Sequence, residues 1–393
     1  MAQAYIEHSD WDHLPSEPLV TVAMPTYNHE RYLRDAIEGV LAQQTDFPFE
    51  LIIGEDASTD GSRAIALEYW RSHPHLVRVI TADRNVGMHE NDARILNAAR
   101  GRYLAFCEGD DCWHRPDKLQ AQVRLLESDA RIALVCSSWR IISEEGAVLI
   151  SNVLRLPIRG VYQFGLDEIL AGKVKTVTVC LRTDLAQTAL KESPLCKPGL
   201  YPFGDAPLWV EASRQGTCLC LPMEFGSYRL SSNSATRPRE IMSVYRFIAD
   251  ASAFDRAVLG NYCLRAGPEA SLEMRVRATR RRLRALAFLG EATQVREELH
   301  WLLQLGARIH FGEYLLYWGA MISRPGTWSG ALRKWGLLRW QASARWKRQQ
   351  RLPVAHADSL RPFDSAGDSR RPAGASDQFT CPRHANSTQQ PES

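Results

Sequence analysis

The chain lacks the paired cysteine spacing of a zinc site or a disulfide framework. Its 9 cysteines lie scattered at Cys107, Cys112, Cys136, Cys180, Cys196, Cys218, Cys220, Cys263 and Cys381, with no CxxC among them. Cys218 and Cys220 alternate within an apolar run, as small hydrophobes do on one face of a strand, so a reducing, cytoplasmic chain is expected. Long hydrophobic runs are also missing. The longest, Tyr314 to Ile322, falls far short of the ~20 residues of a membrane-spanning helix. The opening stretch MAQAYIEHSDWDHLP has neither a basic segment nor an apolar core, and no signal peptide is expected from it. A net charge of +3 is too small to point to nucleic acid, and none is expected as a partner. Arg and Lys nevertheless crowd the region after Met274.

What is present suits a folded protein: 45% hydrophobic and 24% charged residues, in a chain long enough for one large domain and an appendage. Leu19 to Met24 is apolar, rich in β-branched residues and stopped by Pro25, which predicts a buried strand running into a loop. Strands are likewise predicted at Phe49 to Ile53, Val77 to Thr81 and Arg102 to Cys107. Between them, helical spacing appears at Tyr32 to Leu41, after the cap-like Ser58-Thr59-Asp60-Gly61, and at Asn91 to Arg100. A further helix follows Pro116. This alternation predicts βαβ units and a mostly parallel, twisted sheet. Beyond Ile132 the pattern predicts short strands, including Val174 to Leu181 and Thr217 to Leu221, with a helix at Ala206 to Arg214. Leu272 to Phe288 and Ala292 to Leu305 predict a helical hairpin turning at Leu289-Gly290. From Pro353 the chain reads as disordered. The expected organisation is an extension over 1–17, an α/β domain over 18–237, a helical region over 238–351 and a tail over 352–393.

In a parallel sheet, ligands bind beyond the carboxyl ends of the strands. Three polar clusters fall there: Pro25-Thr26-Tyr27-Asn28, Glu55-Asp56 and Glu108-Gly109-Asp110-Asp111. Carboxylates packed past a buried strand repel one another unless a cation sits among them. An all-oxygen site suits Mg²⁺ or Mn²⁺, with a diphosphate completing the shell. The same residues also suit a surface turn capping the next helix. Asp56 could accept hydrogen bonds from a nucleobase or ribose, or simply shape a turn. Asp205, within Pro202-Phe203-Gly204-Asp205-Ala206-Pro207, opens a helix and suits an N-cap. Its aromatic and proline neighbours equally suggest a built pocket.

These stretches resemble successive motifs of the family-two glycosyltransferases. The resemblance runs through Val22 to Asn28, Gly54 to Ser62, Asp83 to Gly87, Gly101 to Phe106, Glu108 to Trp113 and Pro116 to Leu119, and covers about Leu19 to Ser232. It implies the GT-A fold, a nucleotide-sugar donor, a divalent metal, and inversion at the anomeric carbon. Carried over residue by residue, Pro25, Thr26, Tyr27 and Glu30 would line the nucleoside pocket, and Asp56 would contact the base. Asp110 and Asp111 match the aspartates that hold the ribose and the metal, and Asp205 matches the general base. Tyr228-Arg229 resembles the pair that closes the donor site. Two positions depart from the pattern. Glu108 stands at the first DxD position, and Gly204-Asp205 replaces the usual Glu-Asp pair, leaving the base without its acidic neighbour.

The implied chemistry is a single displacement. The diphosphate leaves with growing negative charge that a metal offsets, while one base takes the acceptor proton. A retaining route would call for a second carboxylate as nucleophile, and none is evident in the sequence. The expected acceptor is a glycan or a lipid-linked oligosaccharide. A UDP-sugar donor is expected by analogy. Trp328, Leu332, Trp335, Ala342 and Trp346 share a helix face, with Arg333, Lys334, Arg345, Lys347, Arg348 and Arg351 mostly elsewhere. That stripe suits either an anionic membrane surface contacted through 326–351 or a helix docked on its own domain.

Overall fold

A computed structural model describes residues 5–157, 160–231, 240–262 and 267–310, with 312–313, 315–316 and 361–362. The tryptophan stripe and the tail from Pro353, apart from Arg361–Pro362, lie outside the described residues. The chain forms two compact units, one running to Phe247 and the other starting at Ile248.

The first unit is built on one sheet. Its strands are β1 (Ile6–His8), β2 (Val20–Thr26), β3 (Phe49–Glu55), β4 (Val77–Thr81), β5 (Tyr103–Phe106), β6 (Cys112–Trp113), β7 (Ile132–Ile142), β8 (Val148–Ile150), β9 (Tyr162–Phe164), β10 (Cys180–Arg182) and β11 (Thr217–Arg229). They lie in the order β1-β4-β3-β2-β5-β10-β7-β11-β9, with β6 on β11 and β8 on β7. Strands β4, β3, β2 and β5 run parallel, as do β7 and β11, and β10 lies antiparallel between β5 and β7. Helices α1 (Leu33–Leu41), α2 (Ser62–Ser72), α3 (Met88–Ala98), α4 (Lys118–Ser128), α5 (Leu166–Leu170), α6 (Thr183–Glu192) and α7 (Asp205–Gln215) cover it. Apolar residues of both layers meet in a core containing Val22, Met24, Leu33, Ile37, Leu51, Ile53 and Leu119, all buried. The chain steps outward from β2 to β3 to β4, then returns to place β5 on the other side of β2. That reversal opens a crevice beyond the carboxyl ends of β2 and β5.

The structure departs from the sequence expectations in four places. Helix α3 begins at Met88 rather than Asn91, because its first turn is polar and carries no apolar period. The stretch Val174 to Leu181 is strand only at Cys180 and Leu181, the start of β10. It holds a 3-10 turn at Thr176–Thr178 whose carbonyls are taken by side chains: Trp113 Nε1 donates to Val177 O at 2.9 Å and Gln122 Nε2 to Thr178 O at 2.7 Å. Strand β11 continues past Pro222, which a register shift between Leu221 and Glu224 accommodates. The first 17 residues contribute β1, paired antiparallel with β4.

The second unit contains most of α8 (Ile241–Asn261), with α9 (Pro268–Leu289) and α10 (Ala292–Gln304). Gly290 turns the α9–α10 hairpin in the left-handed conformation (φ 79°). Glu298 is buried between Arg256 and Arg282. Among the described residues no helix is long and apolar enough to cross a membrane.

Candidate active site

The crevice is shaped first by loops that lock together. Asn28 Oδ1 accepts the Thr59 N–H at 2.8 Å, Ser58 Oγ accepts the Asn28 N–H at 3.0 Å, and Glu30 Oε2 accepts the Gly61 N–H at 3.0 Å. Beneath them Asp56 is buried. Its two oxygens accept the backbone N–H groups of Val86 and Gly87, each at 2.9 Å, and Arg94 lies 3.3 Å away. Asp56 therefore anchors the Asp83 to Gly87 loop over the crevice. Thr26 is buried, Tyr27 is exposed, and Pro25 lines a cavity on the far side.

The Glu108 to Asp111 turn packs against this loop. Gly109 N–H donates to Pro25 O at 3.1 Å. A Cβ at Gly109 would come within 2.6 Å of Thr26 Oγ1 and 2.8 Å of His29 Nδ1, so a side chain there would force the two loops apart. Asp111 is 1% exposed. One of its oxygens accepts the Arg229 N–H at 2.8 Å, while the other is buried with no hydrogen-bond partner. Burial first, and then Asp110, push the Asp111 carboxyl well above the usual range. Burial and the carboxylates of Asp111, Asp110, Asp205 and Asp92 do the same to Glu108. Arg229 does not project into the crevice. It is 2% exposed, and it donates to Asp110 O and Glu144 O, pairs with Asp35 at 3.2 Å and stacks over Tyr32. Tyr228 does line the cavity, with Lys175 stacked over its ring at 4.7 Å.

A divalent cation fits this turn. One Asp111 oxygen is buried without a partner, and burial with neighbouring carboxylates disfavours ionisation of Asp111 and Glu108, a cost that a bound cation would offset. Among the described residues no three His, Cys, Asp or Glu side chains form a metal cage. The protein would thus supply one or two carboxylates and leave the remaining positions to diphosphate and water, as Mg²⁺ sites do.

The cavity, about 270 Å³, is lined among others by Glu108, Asp92, Asp205, His89, Lys175, Lys191, Lys197, Thr176, Tyr201, Phe203 and Tyr228. Asp205 is the first residue of α7, with Gly204 at the N-cap position. Its Oδ1 accepts the Ala206 N–H at 2.7 Å, and its Oδ2 accepts the Thr176 hydroxyl. The pinned 3-10 turn thereby aims the carboxylate. The expectation that Asp205 has no acidic neighbour holds in sequence and fails in space. Asp92, on α3, is pushed up to about 7 by burial first, then by Asp205 and Asp56. It lines the same cavity as Asp205. Sequence reasoning missed Asp92, His89, Lys175 and Thr176. Only the polar first turn after Asn85-Val86-Gly87 hinted at the first two.

Comparison with known proteins accords with this geometry. The family model described as Glycosyl transferase family 2 matches residues 21–177, a segment that stops short of Asp205, Tyr228 and Arg229. An Escherichia coli protein named UDP-Glc:alpha-D-GlcNAc-diphosphoundecaprenol beta-1,3-glucosyltransferase is 30% identical over 221 residues, covering 55% of this chain and 79% of that protein. The chain belongs to glycosyltransferase family 2. Another relative of this family-two chain is the putative teichuronic acid biosynthesis glycosyltransferase TuaG of Bacillus subtilis, 29% identical over 56% of this chain and 81% of that protein. An uncharacterised protein of Mycobacterium tuberculosis is 44% identical over 128 residues, or 33% of this chain, and the match spans only 37% of that relative's length. A crystal structure of Staphylococcus aureus TarS residues 1–349 with UDP-GlcNAc aligns over 73% of this chain and 81% of that one. The TM-score is 0.52 at 16% identity, a likeness of fold that agrees with the expected GT-A architecture.

Proposed function

We propose that this chain is an inverting glycosyltransferase that moves a sugar from a UDP-sugar to a hydroxyl of a glycan or lipid-linked acceptor in surface polysaccharide synthesis. The observation that carries the reading is the aiming of Asp205. Its carboxylate is held by Thr176 and the Ala206 N–H at a cavity that Glu108, the first residue of the Glu108 to Asp111 turn, also lines. Asp205 takes the proton of the attacking hydroxyl as that oxygen bonds to the anomeric carbon and the bond to the diphosphate breaks. Asp110 and Asp111 would hold Mg²⁺ or Mn²⁺, which when bound offsets the charge gathering on the leaving diphosphate. Lys175 adds a second cation on the cavity wall. Pro25, Thr26, Tyr27 and Glu30 line the nucleoside side, where Asp56, besides holding Val86, Gly87 and Arg94, would contact the base through its Oδ2. Tyr228 closes the donor side, and Arg229 holds the turn from beneath. The names of the E. coli and B. subtilis relatives support a UDP donor, a lipid-linked acceptor and a cell-surface product.

Because Asp92 stands near Asp205, inversion no longer follows from the lack of a second carboxylate and rests on the family. The decisive experiment incubates the chain with UDP-sugars, Mn²⁺ and simple glycosides. It reads UDP release and the anomeric configuration of the product by NMR. A product that keeps the donor's configuration overturns inversion. UDP-sugar binding without UDP release would favour a non-catalytic binding module, a reading that Glu108 and Gly204 support. A nucleotidyltransferase, which would share the sheet and the metal chemistry, would need a Gly-rich basic loop after β2, where this chain has Pro25-Thr26-Tyr27-Asn28. The Asp205→Asn variant is expected to lower kcat by about 10²- to 10⁴-fold at unchanged donor KM; an unaltered kcat would return Asp205 to a capping role. Cytoplasmic location and peripheral membrane attachment through 326–351 belong to the same reading. They predict flotation with anionic liposomes that salt weakens.

A further inference from the structure

Gly204 has no side chain where an acidic one would flank Asp205, and another element fills the space. A Cβ at Gly204 would stand 3.2 Å from Asp92 Oδ2 and 3.3 Å from His89 Nδ1. The backbone at Gly204 (φ −99°, ψ −21°) is open to any residue, so the position is not glycine for conformational reasons. Among the described residues, no hydrogen bond or ion pair holds the Asp92 carboxylate. A carboxylate left without partners at a cavity wall has its lone pairs available to a ligand.

We propose that Asp92 is the second carboxylate of the acceptor site, binding one hydroxyl of an acceptor sugar beside the hydroxyl that Asp205 deprotonates. The proposal rests on the reading of Asp205 as base. The wall next to Asp92 is aromatic: Tyr201 and Phe203 stack at 6.5 Å with 19° between their planes, offering the apolar surface on which a sugar ring lies. His89 ties this wall to α3, its Nε2 lying 3.0 Å from Tyr201 O. A volume of about 270 Å³ falls just under the ~300–1,000 Å³ of drug-sized sites, which suits one sugar ring. A carboxyl pushed up to about 7 both donates and accepts hydrogen bonds near neutral pH, as a hydroxyl partner requires.

The test uses the full chain with UDP and Mn²⁺, and octyl glycosides of glucose, galactose, mannose and glucuronic acid as probes. Binding is read by saturation-transfer NMR at the ring protons. At least one of these glycosides is expected to bind. Asp92→Ala should weaken the bound probe about tenfold or more without lowering Tm at pH 8. Combining Asp92→Ala with Gly204→Glu, which returns a carboxylate to the same space from α7, should restore binding. Unchanged binding in Asp92→Ala overturns the inference whatever Asp205→Asn does. So does a lowered Tm, which marks a structural role, a double variant no better than Asp92→Ala, or failure of every glycoside to bind. Normal turnover in Asp205→Asn with binding lost in Asp92→Ala would sink the base and keep the acceptor carboxylate.

Discussion

At the amino ends of the strands, Glu50 is fully buried and both of its oxygens are engaged. One accepts Thr21 Oγ1 at 2.7 Å and the Arg100 N–H at 3.1 Å; the other accepts Arg78 and Arg100 at 2.6–3.0 Å. Arg78 also reaches Glu7, and Trp11 lies beside both guanidinium groups. At the carboxyl ends, Glu108 is crowded by Asp111, Asp110, Asp205 and Asp92, Asp111 by Asp110, and Asp92 by Asp205 and Asp56, with one Asp111 oxygen unpartnered. The same sheet thus carries a neutralised pole and an unneutralised one. Charge that a fold leaves uncompensated costs stability, and it is placed where a cation or a substrate compensates it.

Glu50→Ala should do most damage. It leaves Arg78, 2% exposed, without its buried partner, and breaking such a pair costs about 3–5 kcal/mol. Urea unfolding should show that loss with donor KM unchanged in the folded fraction. Opposite behaviour is expected of Asp110→Ala with Asp111→Ala. The apo protein should be no less stable, but the stabilisation by UDP and Mn²⁺ should vanish, about 2.7 kcal/mol at a hundredfold excess over Kd. A thermal shift that survives the double variant would remove the metal-diphosphate unit from this turn.

The poles should also differ in pH dependence. The Asp92 carboxyl is raised to about 7 in the fold, above its unfolded value. The folded state therefore holds the proton more tightly, and stability falls as pH rises from about 4 through 7. Groups facing Asp92 include His89, Asp205, Glu108 and Lys175 in the cavity, with Asp56 and Arg94 beneath. Asp92→Asn should stabilise by about 1–2 kcal/mol at pH 8, allowing for water in the cavity, and by nothing near pH 4. Thermal melts at both pH values check this. A gain at pH 4, or a loss at pH 8, would mean that another group sets the titration.

The contrast between the poles was partly legible in the residues. Apolar runs ended by Pro25, Glu55-Asp56 and Glu108 placed the strands and the ligand rim, because buried parallel strands announce themselves by composition. The partners of Asp205 were not legible. Thr176 sits in a β-branched stretch that reads as a strand, and only the long-range donors Trp113 and Gln122 turn it into a 3-10 turn. Asp92 comes from a helix more than 100 residues away in the chain, so no local spacing links it to Gly204. Arg229 was visible as a motif position, but its burial beneath the turn depends on Asp35 and Glu144, which no motif contains.

The smallest effect compares one substitution at each pole. Asn28 and Ala57 hold left-handed backbone, φ 56° and 55°, in the two loops that lock at the carboxyl ends. Asn adopts that region readily; an alanine there costs about 1–2 kcal/mol. Cross-loop bonds hold it in place: Ser58 Oγ on the Asn28 N–H, and Asn28 Oδ1 on the Thr59 N–H. Ala57→Gly relieves the strain and adds about 0.5–1 kcal/mol of backbone entropy cost, leaving a net gain of about 0.5 kcal/mol. Ala98 is the counterpart at the other pole, the last residue of α3, whose carbonyl accepts Arg78 at 3.0 Å. Ala98→Gly relieves nothing and should cost about 0.5–1 kcal/mol. The two urea midpoints should therefore move in opposite directions. If Ala57→Gly destabilises as Ala98→Gly does, the loop is not strained, and the carboxyl-end pole stores its cost in charge alone.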